Sequence, residues 1–321
     1  MRVTDNATVL KQYLDSLQLR KLSPHTISSY GRDLDELVAL ANATAVPLQA
    51  VSHTNVRKFA AQLHARGLNA RSISRKLSAW RGFFDWLSEQ ITLPSNPVDG
   101  VKAPKKSKPL PKALAADDAV RLVSQPNPVK DAEAPAQLCN RAMFELLYSS
   151  GLRISELVGL DERYRHEANY SSLGWIDFDS AEVTVTGKGN KMRSVPVGAP
   201  AMQALKQWLT ARTGMIARIA GADHNALFLS ERGTRMTPRV AQLRLKAHGQ
   251  ALGLATDVHP HMLRHSFASH VLQGSGDLRA VQEMLGHASI TATQVYTSLD
   301  FQRLAQVYDA AHPRAKKVEP R

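Results

Sequence analysis

In the first hundred residues, apolar positions recur three and four apart, the spacing at which helical side chains share a face. Val9, Leu10, Tyr13, Leu14 and Leu17 set a first stripe. Ser23-Pro24 then offers an N-cap followed by proline at the first helical position, opening a second helix with Ile27, Tyr30, Leu34, Leu37 and Val38 inward. Thr54 is placed to cap a third helix carrying Val56, Phe59 and Leu63, which ends near Gly67. A fourth carries Ile73, Leu77, Trp80, Phe84 and Leu87, with Arg71, Arg75 and Lys76 expected off its stripe. The pattern predicts an all-helical unit over residues 1–103 with one basic side. That side reads either as a solvated face or as a surface whose cations displace counterions from a duplex.

The pattern breaks at residues 94–112, where prolines at 94, 97, 104, 109 and 111 alternate with lysines. Proline disfavours helix and stiffens an extended chain, so residues 104–112 read as a linker, basic through Lys105 and Lys106 among others. Residues 113–321 form the second predicted domain. Helical patterns surround Ala119–Val123 and run from Gln137 to Ser150, after which Gly151 is suited to a left-handed helix end. Residues 181–197 alternate as a β-hairpin turning at Gly187-Lys188-Gly189-Asn190. Met202–Leu209 is helical, Ala226–Ser230 is a short strand or turn, and Thr237-Pro238 opens a helix made basic by Arg239, Arg244 and Lys246. Asp277–Leu285 is a further helix. Phe301, Leu304, Val307 and Tyr308 mark a short amphipathic one at about 301–310. Upstream, between Leu160 and Trp175, residues 161–174 are polar and aperiodic, as expected of a surface insertion, and Tyr164, His166 and Tyr170 within it carry little catalytic weight.

Charge sharpens this picture. Lysine and arginine number 41 against 28 acids, and the excess is spread over both halves and the linker, as a polyanion contacting all three would require. No apolar run is long enough to span a membrane and no signal peptide is read at the start, which together with a single cysteine, Cys139, fits a reducing cytoplasm. Cys139 lies in an apolar helical pattern and reads as a core residue.

The candidate chemistry concentrates between His259 and Tyr296. His261 and Arg264 lie three apart, so on a helix they present an imidazole and a guanidinium together, one able to move a proton and the other to fork around a phosphate. Tyr296 is a candidate oxygen nucleophile and His287 a neighbour whose case rests on its company. Upstream, Arg153 begins a helix, with Glu156 either orienting it or serving as an ordinary first-turn acid. Lys188 at the hairpin tip is suited to protonating a departing oxygen or to sitting on a phosphate. A P-loop is absent, and an arginine amid His259, His261 and His265 opposes a metal ion, so neither a metal nor a nucleotide cofactor is expected.

These residues, in the segments SSGLRISEL, TGKGNK, HMLRH, LGH and ITATQVYT, resemble the tyrosine recombinase (phage-integrase-like) family and its Xer branch, and the likeness runs over nearly the whole chain. The tail LDFQRLAQVYDAAHPRAK is nearer to the XerC subfamily than to XerD. The resemblance implies a helical, SAM-like core-binding domain and a mostly helical catalytic domain with a small antiparallel sheet. It implies that Tyr296 attacks a DNA phosphodiester, that Arg153 and Arg264 hold the phosphate and that Lys188 protonates the leaving oxygen. His261 and His287 would assist, with Glu156 behind them.

The resemblance further implies dif-like double-stranded DNA as substrate, a XerD-like recombinase in a heterotetramer joined through the terminal helix, a DNA translocase of the division septum as a further partner, and chromosome-dimer resolution as the task. By its own pattern that helix reads equally as docking on its own domain. The stretch between Arg153 and Lys188 is longer than the family pattern, the excess lying in residues 161–174. Two readings share the chemistry: a phage or transposon integrase and a type IB topoisomerase-like enzyme. A DNA-binding regulator that has lost cleavage is a third reading, disfavoured because such a protein has no need of Tyr296 or Lys188.

Overall fold

The computed structural model describes residues 6–104, 113–128, 134–187, 191–254, 258–286 and 298–315, with the side chains of 298–303 excepted. The chain forms two compact units, Met1–Pro109 and Leu110–Arg321. Among the described residues no helix is long and apolar enough to cross a membrane.

The first unit is built from α1 (Asn6–Leu19), α2 (Pro24–Ala43), α3 (His53–Ala65) and α4 (Ala70–Ser88). Ser23 caps α2 as the Ser-Pro pair predicts, its side chain accepting from the Thr26 N–H. The cap of α3 is Ser52 rather than Thr54. Its Oγ accepts from Asn55 N (3.3 Å) while its own N–H donates to Asn55 Oδ1 (3.0 Å), so two end groups are satisfied reciprocally. Trp80, Phe83, Phe84 and Phe59 are buried at the centre, each contributing on the order of 2–3 kcal/mol by leaving water.

One basic residue departs from expectation. Lys76 is buried, with its ammonium 3.0 Å from Asp33 Oδ1 and 2.5 Å from Glu36 Oε2. The reason is helical phase: Lys76 is three residues from Ile73 and four from Trp80, which places it on the inward stripe. It is therefore not part of an open cationic face. Arg75 also pairs with Asp33 but keeps its side chain 44% exposed.

The second unit is mainly helical. α5 (Ala116–Ser124) and α6 (Pro135–Ser150) lead to the one-turn α7 (Ile154–Val158). A two-stranded ribbon follows, β1 (His166–Glu167) with β2 (Tyr170–Ser171), and then an antiparallel three-stranded sheet of β3 (Gly174–Asp177), β4 (Glu182–Thr186) and β5 (Met192–Pro196). β4 and β5 are the predicted hairpin, in register Val183↔Val195 and Val185↔Arg193, and β3 adds a strand that the periodicity did not mark. The remaining elements are α8 (Ala199–Arg218), α9 (Pro238–Ala251), α10 (Pro260–Ser275), α11 (Leu278–Leu285) and α12 (Ser298–Ala311). α6 runs through the core and packs on α8 and α10. Cys139 is buried there, its Sγ against the Leu229 carbonyl.

Residues 161–174 are not a featureless loop. Asp161 at their base is 1% exposed and accepts from Arg235 Nη2 (2.7 Å) and from the Tyr170 hydroxyl (2.8 Å). Arg235 Nη1 also donates to the Leu160 carbonyl (3.0 Å). The β1–β2 ribbon thus projects from a buried ionic anchor.

The terminal amphipathic helix docks on its own unit, against α10 and β5. In α12, Leu304 and Tyr308 are buried in the same unit. The Tyr308 hydroxyl lies 2.6 Å from Ser149 Oγ on α6, His312 stacks on Tyr308, and Arg314 forms an ion pair with the fully buried Glu145. Leu304 and Tyr308 of the stripe, with Val307 partly buried beside them, pack within their own unit.

Candidate active site

Three arginines from three elements converge around one carboxylate. Gly151 ends α6 in the left-handed region (φ 58°), and a Cβ there would run into the ring of Phe267, so conformation and packing both require glycine. The turn delivers Arg153 to the N-cap position of α7. Glu156, three residues on, accepts from the Arg153 backbone N–H (2.7 Å) and from its Nη1 (2.8 Å). It is both the first-turn acid and the partner that orients Arg153.

Arg193 on β5 closes the arrangement from the opposite side. Its Nη1 and Nη2 donate to the two oxygens of Glu156 (2.9 and 2.8 Å), and its Nε donates to the Met284 carbonyl near the end of α11 (2.9 Å). Burial pushes the Glu156 carboxyl upward, but the hydrogen bonds and charge of Arg193, with those of Arg153, outweigh it and hold the group below its ordinary range.

Arg264 enters from α10. Its Nη1 donates to the Gly151 carbonyl (2.5 Å) and its Nη2 to the Leu285 carbonyl (2.6 Å). Both acceptors lie at helix C-termini, where partial negative charge collects, and this offsets part of the cost of a guanidinium that is only 8% exposed. Burial, and then the positive charge of Arg153, lower its pKa to about 10, with Glu156 opposing, so it is cationic near neutrality. His261 is exposed in the first turn of α10, three residues before Arg264, with His259 capping the helix through Nδ1 to the Met262 N–H (3.2 Å).

Lys188, His287 and Tyr296 lie outside the described residues, as do Lys105 and Lys106. The residues flanking the first two are placed beside the cluster. Gly187 N–H donates to Lys191 O (2.8 Å) at the hairpin turn, and a Cβ on Gly187 would stand 3.5 Å from Arg193 Nη1. Gly286 caps α11 in the left-handed region (φ 64°), where a Cβ would meet the Arg193 Cδ at 3.0 Å. His270 serves the fold: it bonds the Tyr148 hydroxyl (2.8 Å) and the Leu114 carbonyl (3.1 Å). Among the described residues no group of three or more His, Cys, Asp or Glu side chains could hold a metal ion.

Of the other cations, Arg71 and Arg75 line a concavity of about 710 Å³ in the first unit together with Ser74, Ser78, Arg81 and Lys102. The last two were missed in the sequence: Arg81 lies within the fourth helix beside its apolar stripe, and Lys102 follows it outside any periodic run. Arg239 and Lys246 are exposed on α9, whereas Arg244 is turned toward Asn140 (3.3 Å) and Glu231 (3.1 Å). Arg193 was missed as well. Its signal was present in the hairpin alternation, which puts residue 193 on the inward face with Val195.

With Arg193 taken up by Glu156, the partly exposed Arg153 is left near Arg264, and two guanidiniums so placed suit an anion with several oxygens, such as a phosphodiester. Residues 112–303 match the model of the phage integrase family, and residues 10–90 match the phage integrase N-terminal SAM-like domain. The chain is 54% identical over 310 residues to tyrosine recombinase XerC 1 of Ralstonia nicotianae, covering 95% of this chain and 93% of that protein. It is 44% identical over 317 residues to tyrosine recombinase XerC of Escherichia coli, covering 98% and 99%. Its fold is similar to that of the XerH site-specific recombinase bound to difH substrate (TM-score 0.62, 22% identity, 95% and 84% covered). It is likewise similar to the Tn1549 transposon integrase in complex with transposon right end DNA (TM-score 0.65, 19% identity, 92% and 99% covered).

Proposed function

The chain belongs to the phage integrase family, as a site-specific tyrosine recombinase of the Xer branch and XerC type, and from that membership we propose that Arg153, Lys188, His261, Arg264, His287 and Tyr296 form its strand-transfer centre. Tyr296 Oη attacks the phosphorus of a DNA phosphodiester. A bond forms between tyrosine and the 3′-phosphate, the bond to the 5′-oxygen breaks, and Lys188 supplies the proton that the departing hydroxyl takes up. Arg153 and Arg264 hold the non-bridging oxygens and stabilise the charge that grows on them. His261 assists proton movement at the tyrosine, and His287 donates to the phosphate. Because the phosphotyrosyl link conserves the energy of the original ester, the 5′-hydroxyl of another strand reverses the step without ATP.

The observation that carries this reading is the convergence of Arg153 and Arg264 across the Gly151 turn, braced by Glu156 and Arg193. Arg71, Arg75, Arg81 and Lys102 supply phosphate contacts from the first unit (residues 1–103), residues 104–112 link it to the second, and Arg239 and Lys246 contribute from α9. The identity to XerC proteins supports a dif-like site as substrate, a XerD-like partner in a heterotetramer and resolution of chromosome dimers as the task, with a DNA translocase of the division septum as a further partner. A dif-like duplex nicked beside the attack site tests the chemistry. Wild-type protein traps a covalent adduct mapping to Tyr296, and Tyr296→Phe binds the same duplex and traps none. An adduct formed by Tyr296→Phe refutes the assignment.

A further inference from the structure

We infer that Arg193 is a positioning residue for DNA cleavage, which occupies the Glu156 carboxylate so that the Arg153 guanidinium stays turned toward the phosphate. The inference rests on the reading of Arg153 as a phosphate ligand.

The two arginines use Glu156 differently. Arg193 is spent entirely on the protein: both Nη atoms reach the carboxylate, Nε reaches Met284 O, and its side chain is only 4% exposed. Arg153 gives Glu156 one guanidinium bond and its backbone N–H, and its side chain remains 34% exposed. Each oxygen of Glu156 therefore receives two donors, one from each arginine, and the carboxylate is saturated. A carboxylate with vacant acceptor sites would draw the nearest guanidinium into a bidentate fork. With Arg193 removed, that guanidinium is Arg153, whose remaining donors would fold onto Glu156 and away from solvent. The fork of Arg193 thus prevents an internal competitor from capturing a group needed for substrate. Lysine cannot replace it, because an ammonium is a point donor that cannot span both oxygens in one plane.

The Nε–Met284 bond adds a second consequence. It ties β5 to the end of α11, next to the Leu285 carbonyl that holds Arg264, so the two phosphate arginines share one frame. A rigid frame suits a reaction in which misplacement by about 1 Å can cost roughly 100-fold.

The test measures single-turnover adduct formation on the nicked duplex at saturating protein, with duplex affinity measured in parallel. Arg193→Met slows adduct formation by roughly 10- to 100-fold while duplex affinity changes less than threefold. Glu156→Gln in the Arg193→Met background restores part of the rate, because a neutral amide no longer captures Arg153. A residue needed only for the fold would show no such relief. Arg193→Lys, which keeps the buried charge, carries the test should Arg193→Met fail to fold: it slows several-fold and is likewise relieved by Glu156→Gln. An unchanged rate in Arg193→Met, or double variants as slow as the two single losses multiplied, overturns the inference while leaving the strand-transfer assignment intact. Absence of any adduct from the wild-type protein overturns that assignment instead.

Discussion

Replacing His312 with phenylalanine should remove a large part of the acid sensitivity of the catalytic unit. His312 follows α12, stacks on Tyr308 with ring centroids 4.9 Å apart and 9° between planes, and touches Tyr148 and Phe267. Burial, reinforced by His270 and the charge of Arg314, pushes its pKa from 6.5 down to about 3. In the folded chain it stays neutral as pH falls, whereas in the unfolded chain it takes up a proton below 6.5. The unfolded state therefore binds more protons, and stability declines as pH drops through this window until the folded group protonates near 3. Between pH 7 and pH 5 this linkage amounts to roughly 2 kcal/mol from His312 alone. The phenyl ring of His312→Phe would keep the ring packing, lose the Nδ1 acceptor for Arg314 N–H, and carry no proton. Amide hydrogen exchange of α6 and α10, corrected for intrinsic rates, isolates the stability of this unit from that of the first. The wild-type protein should lose about 2 kcal/mol more than His312→Phe between the two pH values. His248 and His270, also depressed by burial, contribute equally to both proteins and cancel in the difference. Parallel pH dependence of the two proteins would show that the histidine is hydrated or already charged, and would refute the reasoning.

Glu156→Gln tests the other sign of linkage. The folded Glu156 titrates below 4.5, so its stabilisation is present above that value and is lost as pH falls through the lowered one; the melting-temperature gap between wild type and variant should close below pH 4.5. Gly286→Ala should cost about 1–2 kcal/mol, from the left-handed backbone and the Arg193 stem beneath it, and should slow adduct formation as well. A purely conformational cost with normal cleavage would separate the turn from the site. Asp161→Asn should weaken the anchor of the β1–β2 ribbon by about 2 kcal/mol and raise hydrogen exchange in residues 161–174, with cleavage rate unchanged. Undiminished protection there would show that the ion pair does not hold the ribbon.

Much of this fold is written in short-range pattern. The apolar stripes of α1 to α4, the Ser23-Pro24 cap, the Gly151 helix end and the β4–β5 hairpin depend on neighbours within a few residues, so periodicity and cap chemistry locate them. The mainly helical class and the recombinase family were legible for the same reason, because their motifs are local strings. The relations between distant residues were not. Nothing near Lys76 in the chain announces Asp33 as its partner. Nothing near Arg193 announces Glu156, and the partners of Asp161 and Glu145, namely Arg235 and Arg314, lie far along the chain. Whether a lysine faces solvent or a carboxylate is decided by which helix packs against it, and an arginine becomes a brace or a ligand according to what already fills its fork. Local sequence determined which side chains are available. The tertiary structure decided which charges neutralise one another and which, like those of Arg153 and Arg264, are left facing one place.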